Sequence, residues 1–381
     1  VTEDAPQIPG HVILDDVEAF IRRFVVMPAD TDYQSFTVWT AHTWIYKSFD
    51  VSPRGALLSD VGEYGVGKTR AMEVGGLFCA NFRMELDPTG PALAAMITQL
   101  NPTLGIDETD TIFGARGSSG AKRQLRGILN SGYKAGARMS RRSKNDFVED
   151  LVFCPVLFAG AANLPESLTS RSVIWRMKRR RPEQKIDQWF PRMHVPEGKA
   201  LGEVLGQWAG TIAREASLSW PDLPEGIEDR ASEIWWPLLA IADAAGGEWP
   251  RKIREACRAM VLREAAEAKP PPASQLLSDM AAVWPHTAAG VPEANAGTAS
   301  LLQLLTELPG APWASIWSEE AAPREMSALL AGRGIAPRKV KTGNPPRALQ
   351  GYRWIDVRMA AGVPEVPPVP HAGTQDQEAA P

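Results

Sequence analysis

The stretch Gly62-Glu63-Tyr64-Gly65-Val66-Gly67-Lys68-Thr69 constrains this chain more than any other. It has the form G-x-x-x-x-G-K-T, the P-loop pattern, with every required position filled. Glycines allow the left-handed φ values with which a backbone curls into a nest of N–H groups around an anion. Lys68 can then reach the outer phosphates, and the Thr69 hydroxyl can hold Mg²⁺. A helix opening at that point aims its positive end at the same anion. The flanks suit the pattern. Gly55 to Ser59 reads as a short buried strand, and Thr69 to Ala80 as a helix offering Met72, Leu77 and Phe78 for packing. A chance match in a glycine-rich turn is the competing explanation, and a second motif weighs against it. The expected phosphate cradle is therefore Gly62, Glu63, Tyr64, Gly65, Val66, Gly67, Lys68, Thr69 and Arg70, with Thr69 also on the metal.

That second motif is Pro102-Thr103-Leu104-Gly105-Ile106-Asp107-Glu108, a short apolar strand closing in two carboxylates. An Asp-Glu pair alone is common on any surface. One that ends an apolar strand about 40 residues after a P-loop is much more specific. Asp107 is expected to bind the metal, directly or through water. Glu108 is expected to orient and polarise an attacking water. The substrate and ion that such a pair serves are ATP and Mg²⁺.

Two further residues follow by position. Leu151 to Ala159 reads as one buried strand leading to Asn163. A polar group at that tip can contact the terminal phosphate or the attacking water; its alternative role is to cap the turn before Pro165. Arg171 lies between a short helix and the strand Ser172 to Met177. It could neutralise charge on a neighbouring subunit's transferring phosphoryl group, or it could make a salt bridge inside its own subunit. Arg176 is the other arginine that could serve in trans.

Composition removes several classes. At 44% hydrophobic and 23% charged the chain is globular in type. No apolar run approaches the roughly 18 residues of a membrane span. Val1 to Pro6 lacks the basic and apolar parts of a signal peptide. Cys79, Cys154 and Cys257 show no metal-ligand spacing, which predicts reduced thiols and a cytoplasmic setting. The net charge of −4 argues against a uniformly basic nucleic-acid binder. The charge is uneven, however. Between Gly114 and Lys144 stand Arg116, Lys122, Arg123, Arg126, Lys134, Arg138, Arg141, Arg142 and Lys144, with no acid among them. A helix flanked by mobile loops is expected there. Its surface would serve DNA phosphates, or else a solvated face or an acidic subunit contact.

The 381 residues divide by pattern. Helices are expected at Ile13–Met27 and Tyr33–Phe49, forming an N-terminal cap over 1–50. The nucleotide core spans 51–195. A helical lid at 196–269 contains helices Glu197–Leu218, Ile227–Ala245 and Arg251–Ala268. Pro270-Pro271-Pro272 marks a boundary. Beyond it, helices at Ser274–Trp284, Thr298–Leu308 and Arg324–Gly332 precede two strands, Lys339–Lys341 and Tyr352–Ile355. Helices followed by a basic hairpin form a winged-helix pattern over 270–358, with Arg333, Arg338, Lys339, Lys341, Arg347 and Arg353 as its positive residues. Such a module binds DNA or, alternatively, a protein. Residues 359–381 have the composition of a disordered tail.

The P-loop, Asp107-Glu108, Asn163, Ser170-Arg171-Ser172 and the helix opening Asp229-Arg230-Ala231 together resemble the ordered motif set of AAA+ ATPases. The resemblance makes Asn163 sensor 1 and Arg230 sensor 2 on the lid helix. It makes Arg171 the trans arginine finger, with Ser172 where the clamp-loader motif has Cys. More closely, the chain is similar to an uncharacterised, helicase-like family of ATPases from actinobacterial phages and mobile elements. Pro53 to Ser59, Leu104 to Gly114 and Trp236 to Pro250 carry that likeness. It implies an α/β P-loop NTPase core with a parallel sheet, ATP rather than GTP, and a hexameric ring of subunits. It also implies a DNA motor or helicase in phage or mobile-element replication, working in the bacterial host cytoplasm. A loader or remodeller of a replication protein and a nucleotide-dependent assembly scaffold are the alternatives.

Overall fold

The computed structural model describes residues 8–60, 63, 65–85, 88–113, 120–143, 146–161, 164–267, 272–318, 320–343 and 345–364. Its contacts divide the chain into two compact units, Val1–Glu267 and Ala268–Pro381.

The first unit begins with helices α1 (Gly10–Phe24) and α2 (Asp30–Ile45). α1 buries Ile13, Leu14, Val17, Phe20, Ile21 and Phe24, one face of a 3.6-residue repeat. α2 is buried around most of its circumference, Thr37, Thr40, His42 and Thr43 included. A helix of that kind belongs between layers rather than on a surface. Strand β1 (Arg54–Ser59), helix α3 (Lys68–Gly76), strand β2 (Phe82–Glu85), helix α4 (Gly90–Leu100) and strand β3 (Thr103–Ile106) follow. Then come α5 (Thr109–Phe113), α6 (Gly120–Ser131) and the antiparallel strands β4 (Arg138–Ser143) and β5 (Asp146–Leu151). Strand β6 (Val156–Ala161), α7 (Glu166–Thr169) and β7 (Ser172–Arg176) complete the sheet. Helices α8 (Pro191–Leu218), α9 (Asp229–Ala245) and α10 (Trp249–Glu267) close the unit.

Five strands form one sheet in the order β2-β3-β6-β1-β7, and every neighbouring pair is parallel. A parallel sheet must be covered on both faces, which explains the unbroken burial of β1. Alternate residues serve alternate faces. Leu57, Leu157, Ala159, Val173 and Trp175 pack into one core with α1, α2, α3 and α8 to α10. Ala56, Leu58, Leu104, Ile106, Phe158 and Ile174 pack into the other with α4, α6 and α7. The result is a three-layer α/β/α unit.

Four expectations change. The expected N-terminal cap and lid are one helical layer, because α1, α2 and α8 to α10 share a single core. α3 ends at Gly76, four residues early. Leu151 to Ala159 is not one strand: Leu151 closes β5 and Val156 opens β6. Pro155 lies between them, and a residue without an N–H cannot donate to a sheet ladder. The basic segment is α6 plus one strand of a hairpin rather than a helix between loops.

The second unit contains α11 (Pro272–Ala282), β8 (Asn295–Gly297), α12 (Thr298–Glu307), α13 (Trp313–Ile316), α14 (Ala322–Ala331), β9 (Arg338–Thr342), β10 (Arg347–Arg353) and α15 (Trp354–Ala361). Its antiparallel sheet runs β8-β10-β9. Trp284, Trp313, Leu301, Leu305, Met326, Leu330 and Tyr352 form a separate core. The expected strand Tyr352–Ile355 is displaced: β10 starts at Arg347, and Trp354 and Ile355 belong to α15.

Two measurements check this packing. Trp175 is fully buried, lies edge-on to Phe36 at 4.8 Å and donates from Nε1 to Ser35 Oγ at 3.0 Å. Trp175→Ala should cost about 3–5 kcal/mol in urea unfolding, and a loss below about 1 kcal/mol contradicts the assignment. His42 is also fully buried, and desolvation, with Arg54 nearby, holds its pKa down at about 3. Because the folded pKa lies below the unfolded one, the unfolded state takes up the proton first as pH falls. Stability should therefore decline from about pH 6.5 towards 3, and His42→Phe should flatten that decline. An unchanged slope counts against burial as the cause.

Candidate functional site

All five strands of the sheet point the same way, so the C-terminal ends of β1, β3 and β6 share one edge. In open α/β sheets that edge, where the chain connections diverge, forms the ligand crevice. β1 ends at Ser59 and the chain turns through the glycine loop into α3. Gly67 stands at the N-cap of α3 with φ of 88°, and no side chain caps the helix. Gly65 has φ of 70°. At both glycines a Cβ would meet open space, so backbone conformation rather than crowding demands glycine there. Gly62 and Tyr64 lie outside the described residues; Glu63 is exposed and donates its N–H to Asp60 O at 3.1 Å. Val66 is buried beneath the loop.

Lys68 Nζ donates to Ser59 Oγ, which holds the lysine over the end of β1. Thr69 Oγ1 donates to Asp107 Oδ2 at 2.9 Å across 38 residues of sequence. The other oxygen, Asp107 Oδ1, accepts from Glu108 N–H at 2.8 Å, so the carboxylate is held at both ends. Glu108 is exposed and has φ of 53°, a costly conformation for a residue with a side chain. Such backbone strain concentrates at functional sites. The donor set at this point is one hydroxyl and one carboxylate. Both are hard oxygen donors, and Mg²⁺ is characteristically held by one or two protein oxygens with water and substrate phosphate completing its shell. Among the described residues no group of three or more His, Cys, Asp or Glu could hold a metal on its own.

Beside the loop lies a cavity of about 510 Å³ lined by Phe24, Val25, Val26, Gly65 to Gly67, Arg70, Arg180, Ile186 and Trp189, among others. Its aromatic wall is braced: Trp189 meets Phe24 edge-on at 4.8 Å, and the Arg70 guanidinium lies 5.3 Å from the Trp189 ring centre. Arg23 ties this wall to α1 through Asp187 at 3.2 Å and Glu197 at 2.5 Å. Spacing alone singles out none of Val26, Arg180 and Trp189, and it marks Val25 only as an apolar position of the first helix. Arg180 belongs to a basic run that reads as a solvated strand end.

Asn163 lies outside the described residues. Arg171 and Arg230 are brought together, away from the loop. Arg171 O accepts from Arg54 N–H at 2.9 Å, which places it at the start of β1. Six residues at about 3.3 Å each separate the two ends of β1 by roughly 17 Å, beyond the reach of one arginine side chain. The Arg171 guanidinium lies 4.8 Å from the centre of the Tyr133 ring, and that of Arg230 lies 5.5 Å from it. Arg230 also donates to Tyr133 Oη and pairs with Glu233 at 3.5 Å. The structure therefore keeps Arg230 away from the phosphate loop of its own chain, where a sensor 2 residue would stand. Arg176, at the loop end of β7, pairs with Glu264 at 2.8 Å.

The basic segment is less available than its composition implies. Arg126 is committed to Ile112 O at 2.9 Å and Arg138 to Glu149 at 3.2 Å. β5 lays its acids along β4, with Ser140 opposite Glu149 and Met139 opposite Asp150. Arg123 is exposed on α6; the side chains of Arg116, Lys122, Arg141, Arg142 and Lys144 lie outside those described.

Residues 176–360 match a family described as a protein of unknown function, DUF3631. The chain is 29% identical over 177 residues to an uncharacterised 28.9 kDa protein in the xis 5′ region of Saccharopolyspora erythraea. That alignment spans 46% of this chain and 64% of the relative's length. Among solved structures, the A-form apo structure of the NrS-1 C-terminal region superposes over 90% of this chain and 74% of its own length. Its TM-score is 0.41 at 12% identity, a degree of likeness that does not define a shared fold. Among the described residues no helix is long and apolar enough to cross a membrane.

The strain at Glu108 has a measurable consequence. Glu108→Gly should leave the ligand-free protein as stable or more stable, by up to about 1 kcal/mol in thermal unfolding. Clear destabilisation would show that this residue is held by packing rather than by its part in the site.

Proposed function

We propose that this chain is a Mg²⁺-dependent ATPase with an AAA+-like P-loop core at 51–195, and that it drives a DNA motor. The hydrogen bond from Thr69 to Asp107 is the observation that carries the ATPase reading. It joins the two motifs that sequence alone could only place in one chain, at the crevice edge of a parallel sheet. Gly65, Gly67 and the uncapped start of α3 supply the phosphate nest. The neighbouring cavity, with its Trp189 wall, has the size and apolar lining of a site for a base.

In this reading Lys68 binds the outer phosphates. Mg²⁺ held by Thr69 and Asp107 would neutralise charge on the phosphate oxygens. Glu108 accepts a proton from the attacking water, with Asn163 orienting that water. Arg171 acts on a neighbouring subunit in a ring, and hydrolysis then depends on assembly.

The DNA part rests on charge and topology. In the second unit, helices α11, α12 and α14 precede the β9–β10 hairpin, the pattern of a winged helix. Lys339, Lys341 and Arg347 are exposed along that hairpin, whereas Arg338 and Arg353 pair with Asp356. The relative named for an xis 5′ region supports the mobile-element setting. A loader of a replication protein differs from a motor in being stimulated by its client rather than by DNA. A scaffold would assemble with ATP and need neither.

Lys68→Ala should abolish ATP binding measured with a fluorescent analogue. Glu108→Gln should keep binding and lose hydrolysis on the order of 10²-fold or more. Single-stranded DNA should raise the turnover of the unmodified chain. Normal turnover by Lys68→Ala removes the ATPase reading, and indifference to DNA removes the motor.

A further inference from the structure

The second unit divides its charge along the chain. Between residues 272 and 332 six acids stand against one base, Arg324. Between 333 and 358 seven bases stand against one acid, Asp356. The helical half is therefore acidic, and the β9–β10 hairpin with its flanks is basic. Asp356 does not cancel that excess, since Arg353 at 2.7 Å and Arg338 at 3.5 Å share its one negative charge. Arg333 donates to Ser274 Oγ at 2.5 Å, a bond to a neutral group that leaves its charge in place.

The hairpin displays its cations on an open face. Successive residues of a strand point to opposite sides. Val340 is buried, so Lys339 and Lys341 beside it are turned outward, and both are exposed. Across the ladder Lys339 lies opposite Gln350, Lys341 opposite Ala348 and Arg347 opposite Thr342. No acid faces a base in this pair of strands, in contrast to β4 and β5.

The helix before the hairpin is poorly equipped to read bases. In a helix-turn-helix arrangement that second helix enters the major groove, and here it is α14. The common readers of base edges are Arg, Lys, Asn and Gln. α14 has no Lys, Asn or Gln. Its exposed positions are Pro323, Arg324, Glu325, Ala328 and Ala331, so its one cation has a carboxylate beside it. Stacking surfaces are missing too. Trp284, Trp313, Trp317 and Tyr352 are buried, and among the described residues no Trp, Tyr or Phe of this unit is exposed. Single strands are held largely by stacking their bases on such rings. Protein contacts favour aromatic anchors and are depleted in Lys. A stripe of cations with neither readers nor rings suits the phosphate backbone of a duplex.

We infer that the second unit grips duplex DNA through the β9–β10 hairpin, by phosphate contacts alone and without regard to base sequence. The inference rests on the DNA part of the proposed function; it names the form of the nucleic acid and the element that holds it. Repulsion of the acidic helical half by the same phosphates turns the hairpin towards the duplex. Single strands that raise turnover would then be held by the first unit.

Fluorescence anisotropy of the full chain with labelled duplexes of about 20 base pairs, and with a single strand of equal length, tests this at rising salt. The duplex should bind more tightly than the single strand. Selection from a pool of duplexes with randomised centres should yield no consensus. Replacing both hairpin lysines, Lys339→Ala with Lys341→Ala, should weaken binding to every duplex alike and reduce the salt slope of log K by about two. Both side chains are exposed, so the fold should survive, as circular dichroism would verify. Arg324→Ala on α14 should leave affinity unchanged. A selected consensus, or a loss of affinity in Arg324→Ala, overturns the sequence-independent grip. Tighter binding of the single strand overturns the duplex assignment. Duplex binding whose salt slope survives the lysine replacements overturns the hairpin and leaves the DNA part of the proposed function standing. A chain that binds neither form of DNA overturns both.

Discussion

The hydrogen bond from Thr69 to Asp107 depends on the whole sheet. It can form only if the loop after β1 returns α3 to the C-terminal edge of the sheet and if β3 closes on that same edge. Both conditions follow from parallel strands. The register Gly105 opposite Leu157 and Gly55 opposite Leu157 brings β3, β6 and β1 to one edge in step. A slip of one residue in either pairing would turn each side chain to the other face and separate the hydroxyl from the carboxylate. Two apolar cores, one on each face of the sheet, hold that register.

β1 works at both ends. At its C-terminal end it delivers the glycine loop. At its start, Arg54 is fully buried, donates to Cys154 O and to Leu129 O at 3.0 Å, and has its pKa lowered to about 10, chiefly by desolvation. A buried guanidinium bonded to two carbonyls ties the last turn of α6 to the residues just before β6, where an unbonded charge would be costly. Tyr133 lies just beyond the end of α6, and Ser52 N–H donates to Tyr133 O at 2.7 Å. The platform for Arg171 and Arg230 is therefore fixed by the same strand that positions Lys68. One rigid element sets the spacing between the proposed phosphate site and the proposed trans arginine, Arg171.

Much of the site was legible because its residue types are dictated locally. A left-handed glycine loop, a lysine and a hydroxyl before a helix, and a strand closing in carboxylates all leave a short-range mark. Long-range partners leave none. Trp189 and Val26 reach the loop from segments far apart in sequence, and nothing in their spacing marks them. The same holds for Tyr133, a single tyrosine after a helix. The β4–β5 hairpin was hidden because the acids that neutralise Arg138 lie beyond the basic run, on the returning strand. Pro155 was the available signal that 151–159 was two strands. The second unit's helices were legible from their apolar spacing, but its last strand was misplaced because the aromatic run Tyr352 to Trp354 crosses from β10 into α15.

Calorimetric titration of the full chain with ATP, with and without Mg²⁺, tests the central claim most directly. The account predicts one nucleotide per chain, bound more tightly with Mg²⁺ than without, and loss of that Mg²⁺ effect when Asp107 is replaced by Asn. Absence of nucleotide binding under both conditions, or binding whose Mg²⁺ dependence survives that replacement, would contradict it.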